Sequence, residues 1–159
     1  MSQFVDMRLS QNANRPNLSL EINNTVKLLV GDIGIQTISV ANTALAGSVK
    51  VMLSGTVTFF QELEDPNTNA MVFLLIEKNG GDTFGSGTLI YEEIVQPGTI
   101  DVQTIFPASV SCADFPTADE VNAQQIRYTL FVTSSSTQFS GDILLNGPTT
   151  FNGIASADS

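Results

Sequence analysis

The stretch SVKVMLSGTVTFF, residues 48–60, alternates almost without a break. Val49, Val51, Leu53, Val57 and Phe59 fall on one face, while Ser48, Lys50, Ser54, Thr56 and Thr58 fill most of the other. A period of two over this length is a β-strand that buries one face and wets the other. Such a strand needs a second layer to cover its apolar side, and that requirement governs the rest of the chain. QIRYTLFVTSS alternates in the same way, with Ile126, Tyr128, Leu130 and Val132 on one face and Arg127, Thr129 and Thr133 on the other. MVFLLIEK is apolar on both faces, which predicts a mid-sheet strand with something packed on each side. No segment carries a helical period. The one place for a turn or two of helix is TADEVNAQQ, with Thr117 or Asp119 as its N-cap.

Turn signals punctuate the chain at spacings typical of an all-β domain: VGDIG at 30–34, EDPNTN at 64–69, KNGGDTFGSG at 78–87, QPG at 96–98, DFPTAD at 114–119 and NGP at 146–148. Asn79-Gly80, Asn146-Gly147 and Asn152-Gly153 suit the positive φ of tight hairpin turns. Between them the pattern predicts strands over 18–30, 33–42, 47–61, 70–78, 88–95, 99–106, 125–134, 138–146 and 149–155. Strands of this number and spacing predict an all-β, two-sheet jelly-roll sandwich.

At 159 residues the chain is long enough to bury a core as one domain. Charged residues make up only 14% of it, so Ser, Thr, Asn and Gln must supply the polar surface. Such a surface suits a protein covered largely by copies of itself, because interface cores are depleted of charge. The net charge is −10, and the six bases (Arg8, Arg15, Lys27, Lys50, Lys78 and Arg127) form no run. That balance argues against nucleic acid and against an anionic membrane as partner. No apolar stretch approaches membrane-spanning length, and MSQFVDMRLSQNANRP lacks the apolar core of a signal peptide. Synthesis in a cytoplasm is expected, with any outside location reached by another route such as cell lysis.

The complete absence of histidine removes the commonest general base, the Ser-His and Cys-His pairs, and nearly all transition-metal sites. Cys112, the single cysteine, reads as a buried inert thiol, with pairing between two chains left open. GDTFGSG lacks the lysine and following helix of a phosphate loop and reads as a hairpin tip. Glu62 with Glu64, and Glu92 beside Glu93, are the carboxylate pairs to consider for glycoside cleavage, but solvated strand ends are the simpler reading. Glu62, Glu64, Asp65 and Asn67 could supply oxygens to calcium, although the spacing of an EF-type loop is missing. No cofactor and no catalytic residue is expected.

The first sixteen residues stand apart. FVDMRLS reads as a short strand with Val5, Met7 and Leu9 on one side and Asp6, Arg8 and Ser10 on the other, and QNANRPN reads as a linker. A division into a connector arm, 1–16, and a sandwich body, 17–159, is expected. Such an arm either folds back on its own sheet or reaches the sheet of another subunit. The arm holds two bases and one acid, the body four bases and fifteen acids, which favours a meeting in trans. Val5, Met7 and Leu9 are therefore expected to insert into a neighbouring copy, with Arg8 facing acidic groups there.

IQTISVANTALAGSVKVMLSGTVTFF, QIRYTLFVTSSS and SGDILLNGPTTFNGIAS together resemble the small jelly-roll proteins of spore-forming Gram-positive bacteria. These are the endospore appendage subunits and the C1q/TNF-like domains of the outermost spore layer. The likeness, over roughly residues 20–157, lies in the strand entry and in a closing strand rich in Thr, Gly and Asn. It implies an N-terminal connector that plugs into the next subunit, and residues 1–16 stand in that place. The connectors of that family carry cysteines for covalent links and this arm has none, so any joint here would rest on β-pairing and packing. The resemblance implies a non-enzymatic subunit that self-assembles into a fibre or appendage on a spore or cell surface. The alternative is an adhesion or decoration protein, of phage or spore surface, that closes as a trimer.

Overall fold

The computed structural model describes residues 1–13, 20–61, 71–96, 104–135 and 143–158. Nine strands follow one another: β1 (Ser2–Ala13), β2 (Leu20–Glu21), β3 (Leu28–Gln36), β4 (Val49–Gln61), β5 (Val72–Lys78), β6 (Thr88–Val95), β7 (Thr104–Asp114), β8 (Gln125–Ser134) and β9 (Ile143–Asp158). Among the described residues one α-helix, α1 (Ala118–Asn122), precedes β8, and a 3-10 turn, Ala46–Ser48, leads into β4. Thr117 is the N-cap of α1, in a capping box with Glu120.

The pairing is nested. β5 pairs with β6, β4 with β7, β3 with β8 and β2 with β9, all antiparallel. This is one long hairpin folded over on itself, which is what a jelly roll is. Folding it over gives two sheets, β1-β9-β4-β7 with β2 also on β9, and β3-β8-β5-β6. The expected fold class stands. Between the sheets lies the core predicted by the alternation, with Leu53, Val57, Phe59, Leu74, Ile76, Ile126, Tyr128, Leu130 and Phe151 all fully buried. Burying each such side chain stabilises by roughly 1.5–3 kcal/mol.

Strand limits at β5, β6 and β8 follow the predicted ones closely, the strand expected over 99–106 runs instead over Thr104–Asp114, and three turn expectations fail for identifiable reasons. VGDIG is not a turn but the middle of β3, so residues 18–30 and 33–42 are not two strands. Close approach requires glycine at position 31, where a Cβ would lie 2.6 Å from Cβ of Phe151, whereas at Gly34 a Cβ would meet, at 2.1 Å, only the flexible end of the Gln125 side chain. NGP is likewise no hairpin. β9 runs through it, with Asn146, Gly147 and Pro148 bulging opposite Thr58 and Gly147 at φ 90°. Asn152-Gly153 also lies inside β9, where a Cβ on Gly153 would sit 2.8 Å from Cδ1 of Ile33. Of the expected turn pairs, Asn79-Gly80 does open a turn, with Asn79 at φ 57°.

Gly31→Ala should cost about 1–3 kcal/mol in urea unfolding, because Phe151 has no room to yield. Gly47→Ala, whose Cβ would meet nothing within 4 Å, should shift stability by less than about 0.5 kcal/mol.

Candidate assembly site

β1 is the outermost strand of its sheet, held by ten antiparallel register pairs to β9, from Ser2–Asp158 to Ala13–Thr149. The linker reading of QNANRPN therefore holds for none of Gln11–Ala13, which belong to β1, and residues 14–19 lie outside the described part. β1 also closes the gap to the other sheet. β3 is the edge strand there, and two of its outward N–H groups find partners on β1: Gln36 donates to Oδ2 of Asp6 at 2.7 Å and Asp32 to Oγ of Ser10 at 3.2 Å. A sheet edge is thereby blunted without a ladder. Burial raises the pKa of Asp6, but the N–H of Gln36 and the guanidinium of Arg8, 2.8 Å away, outweigh it and hold the carboxyl below its ordinary 3.8.

The predicted face of β1 changes here. A bulge between Phe4 and Asp6 takes Val5 out of register and packs it against the core, while Met7 and Leu9 point outward, 50% and 74% exposed. Val5, Met7 and Leu9 therefore do not share one side. Arg8 pairs with Asp6 of its own strand. Asp6 and Ser10 of this strand face β3 while Phe4, Met7 and Leu9 face solvent, the reverse of an ordinary edge strand.

Elsewhere the chemistry is structural. Glu77 is buried, and its carboxylate accepts the N–H groups of Gly85 and Gly87 at 2.7 and 3.2 Å. It thus fastens loop 79–87, the turn of the β5–β6 hairpin, over the sheet. Phe84 of that loop meets Phe131 edge-on at 5.5 Å, with Nζ of Lys27 4.6 Å above its ring. A groove of about 480 Å³ beside it is lined by Lys27, Phe73, Phe84 and Glu92, among others, and the hydroxyls of Thr133 and Ser134 at its wall donate to the carbonyls of Asn23 and Ile22. Glu92 and Glu93 point to opposite faces of β6, and Glu93 accepts from Tyr91, whose own pKa is pushed up to about 12 by burial and by that carboxylate. Cys112 is half-buried, with its thiol pushed up by burial and by Asp114. Glu62, Glu64, Asp65 and Asn67 lie outside the described residues.

Sequence spacing concealed one cluster. Lys78 at the end of β5 reaches Asp114 at 3.2 Å and Glu120 at 3.0 Å, and Tyr128 donates to Asp114 at 2.8 Å. Burial would lower the pKa of Lys78, yet the two carboxylates raise it, so the amine stays protonated and is neither nucleophile nor base. Asp32 and Asp82 hold Arg127 in the same manner, and Asp158 holds Lys50. Arg8, Lys50, Lys78 and Arg127 are thus each paired with a carboxylate, while Lys27 rests on the ring of Phe84. No helix among them is long and apolar enough to cross a membrane.

The nested pairing defines the class: a jelly roll with one extra edge strand. No family model and no curated protein matches the chain. Solved structures are similar at low identity. A chain of infectious bursal disease virus, Gx strain, is 12% identical with a TM-score of 0.45, over 96% of this chain and 32% of that one. The VP2 subviral particle of the same virus gives 14% and 0.42, over 96% and 31%. Eiger TNF from S. frugiperda gives 12% and 0.40, over 91% and 96%. This chain spans about a third of the viral chains it matches.

Three outcomes follow from the pairs. Asp6→Ala should lower hydrogen-exchange protection of β1 amides roughly 10- to 100-fold and leave β8 unchanged. In the unaltered protein the same protection should be complete above pH 3.8 and fade below it, because the folded pKa of Asp6 is the lower one. Lys78→Met should cost roughly 3 kcal/mol at neutral pH, since it strands two carboxylates.

Proposed function

We propose that this chain is a non-enzymatic structural subunit that assembles with copies of itself into a fibre or appendage on a spore or cell surface, by exchanging its N-terminal strand. The observation that carries the reading is the position of β1. It is an edge strand with a single ladder partner, and the edge that receives it is present in every copy. A strand from one copy can take the same register on β9 of the next, with Asp6 and Ser10 meeting β3 as they do within one chain. Exchange of this kind needs no new contact and is a low-cost route to assembly. The arm, with two bases and one acid, would also leave its place beside a body of four bases and fifteen acids for an identical one. The surface setting rests on the resemblance to spore appendage subunits.

A second reading is favoured by one feature: with β1 seated on its own β9, the margin that would receive a neighbour's strand is already filled in every copy, and a closed trimer joined through sandwich faces becomes the natural assembly.

Leu9 and Asn152 stand directly opposite in register, close enough for a disulfide if both become cysteine. Copies carrying Leu9→Cys mixed with copies carrying Asn152→Cys, both with Cys112→Ser, should give a cross-linked pair of chains under mild oxidation. Electron micrographs of the unaltered protein should show fibres, and removal of residues 1–16 should abolish them while leaving a β-type circular dichroism spectrum. Monomers alone in the mixing experiment overturn strand exchange, and a discrete trimer by light scattering establishes the second reading.

A further inference from the structure

The two outer faces of the sandwich are unequal. On the β3-β8-β5-β6 sheet, outward Leu75 and Phe131 are buried, with Phe84 of loop 79–87 lying over Phe131, and the exposed apolar side chains, Leu89 and Ile94, are confined to the edge strand β6. On the other sheet the outward apolar side chains are bare. The register places Met7, Ile154, Met52 and Ala113 directly opposite one another, a single row that crosses β1, β9, β4 and β7. Met7 is 50% exposed, Ile154 44% and Met52 49%, and Phe4 and Leu9 flank the row at 65% and 74%. Isolated exposed apolar residues need no explanation, but a contiguous row over four strands does.

The rows beside it are small and uncharged: Leu9, Asn152, Ser54 and Ser111, then Gln11, Thr150, Thr56 and Ser109. Among the described residues that face outward on these four strands, the only charged pair is Lys50 with Asp158, which neutralise each other. A protein of net charge −10 therefore carries one broad face on which the charges of these four strands cancel, with Glu21 of β2 at its margin. Two copies can meet on this face without like-charge repulsion, whereas contact elsewhere sets acid against acid. Four strands about 4.8 Å apart, along the thirteen residues of β4, make a face of roughly 800 Å², the area each partner contributes to a standard-size interface.

We propose that the outer face of the β1-β9-β4-β7 sheet packs against the same face of a second copy, with the Met7–Ile154–Met52–Ala113 row at the centre of the contact. The packing is sheet on sheet, about 10 Å between layers, as in a sandwich interior. Because β1 supplies Met7, Leu9 and Phe4, the face is complete only when that strand is seated, whether by its own chain or by a neighbour's. The inference deepens the self-assembly reading and rests on it.

Sedimentation velocity over a concentration series, on the full chain, tests it. Met52→Glu and Ile154→Glu should each weaken self-association on the order of 100-fold, through desolvation and repulsion between copies. Met52→Ser should weaken it less. Thermal midpoints should stay close to that of the unaltered protein, because these side chains are half-exposed in a single copy. If the unaltered protein associates and Met52→Glu and Ile154→Glu associate equally well, the face is not the contact, and self-assembly stands without it. If the unaltered protein remains monomeric at every concentration, the self-assembly reading itself falls, and this inference with it.

Discussion

β9 holds the molecule together. It is sixteen residues long and pairs with β1 and β2 on one side and β4 on the other. Both ends of the chain thus meet in one ladder. The inner side chains of β9 (Ile143, Leu145, Thr149, Phe151, Ala155 and Ala157) are all buried. Phe151 is the point where this strand meets the opposite sheet, and the notch that admits it is the missing side chain of Gly31. Such a sandwich depends on non-local pairing throughout, since the last strand must find the first.

That dependence explains what was legible in the sequence. β4, β5, β6 and β8 show themselves by alternation or by a continuous apolar run, because each one's own residues reveal which face is buried. The jelly roll was legible for the same reason. Gly31, Gly34, Gly147 and Gly153 misled because glycine signals a turn only when it is free to bend. Here three of the four make room for a side chain brought by another strand, and the fourth sits in a bulge. Nothing within a dozen residues of VGDIG tells of Phe151.

The candidate assembly site was half legible. The N-terminal strand was visible as a strand, but its orientation turned on one bulge at Val5, and bulges are fixed by the partner ladder rather than by local sequence. The polar cluster of Lys78, Asp114, Glu120 and Tyr128 gave no signal, because its members lie far apart in the chain and meet only where β5, β7, β8 and α1 converge. What these ion pairs have in common is that each joins a strand end or a loop to its neighbour.

The single seat for β1 has a consequence for the shape of any open assembly built by exchange. Each copy brings one strand and one seat, so in a row of copies all interior strands and seats match up and one of each is left over. The leftovers lie at opposite extremities: one tip ends in an unattached strand, the other in a bare β9 margin with the N–H groups of Asp32 and Gln36 on β3 uncovered. Such a filament has a direction. Its two tips differ in chemistry, so elongation and anchorage have separate addresses, and a terminator that supplies only a strand would stop growth at one tip and leave the other untouched.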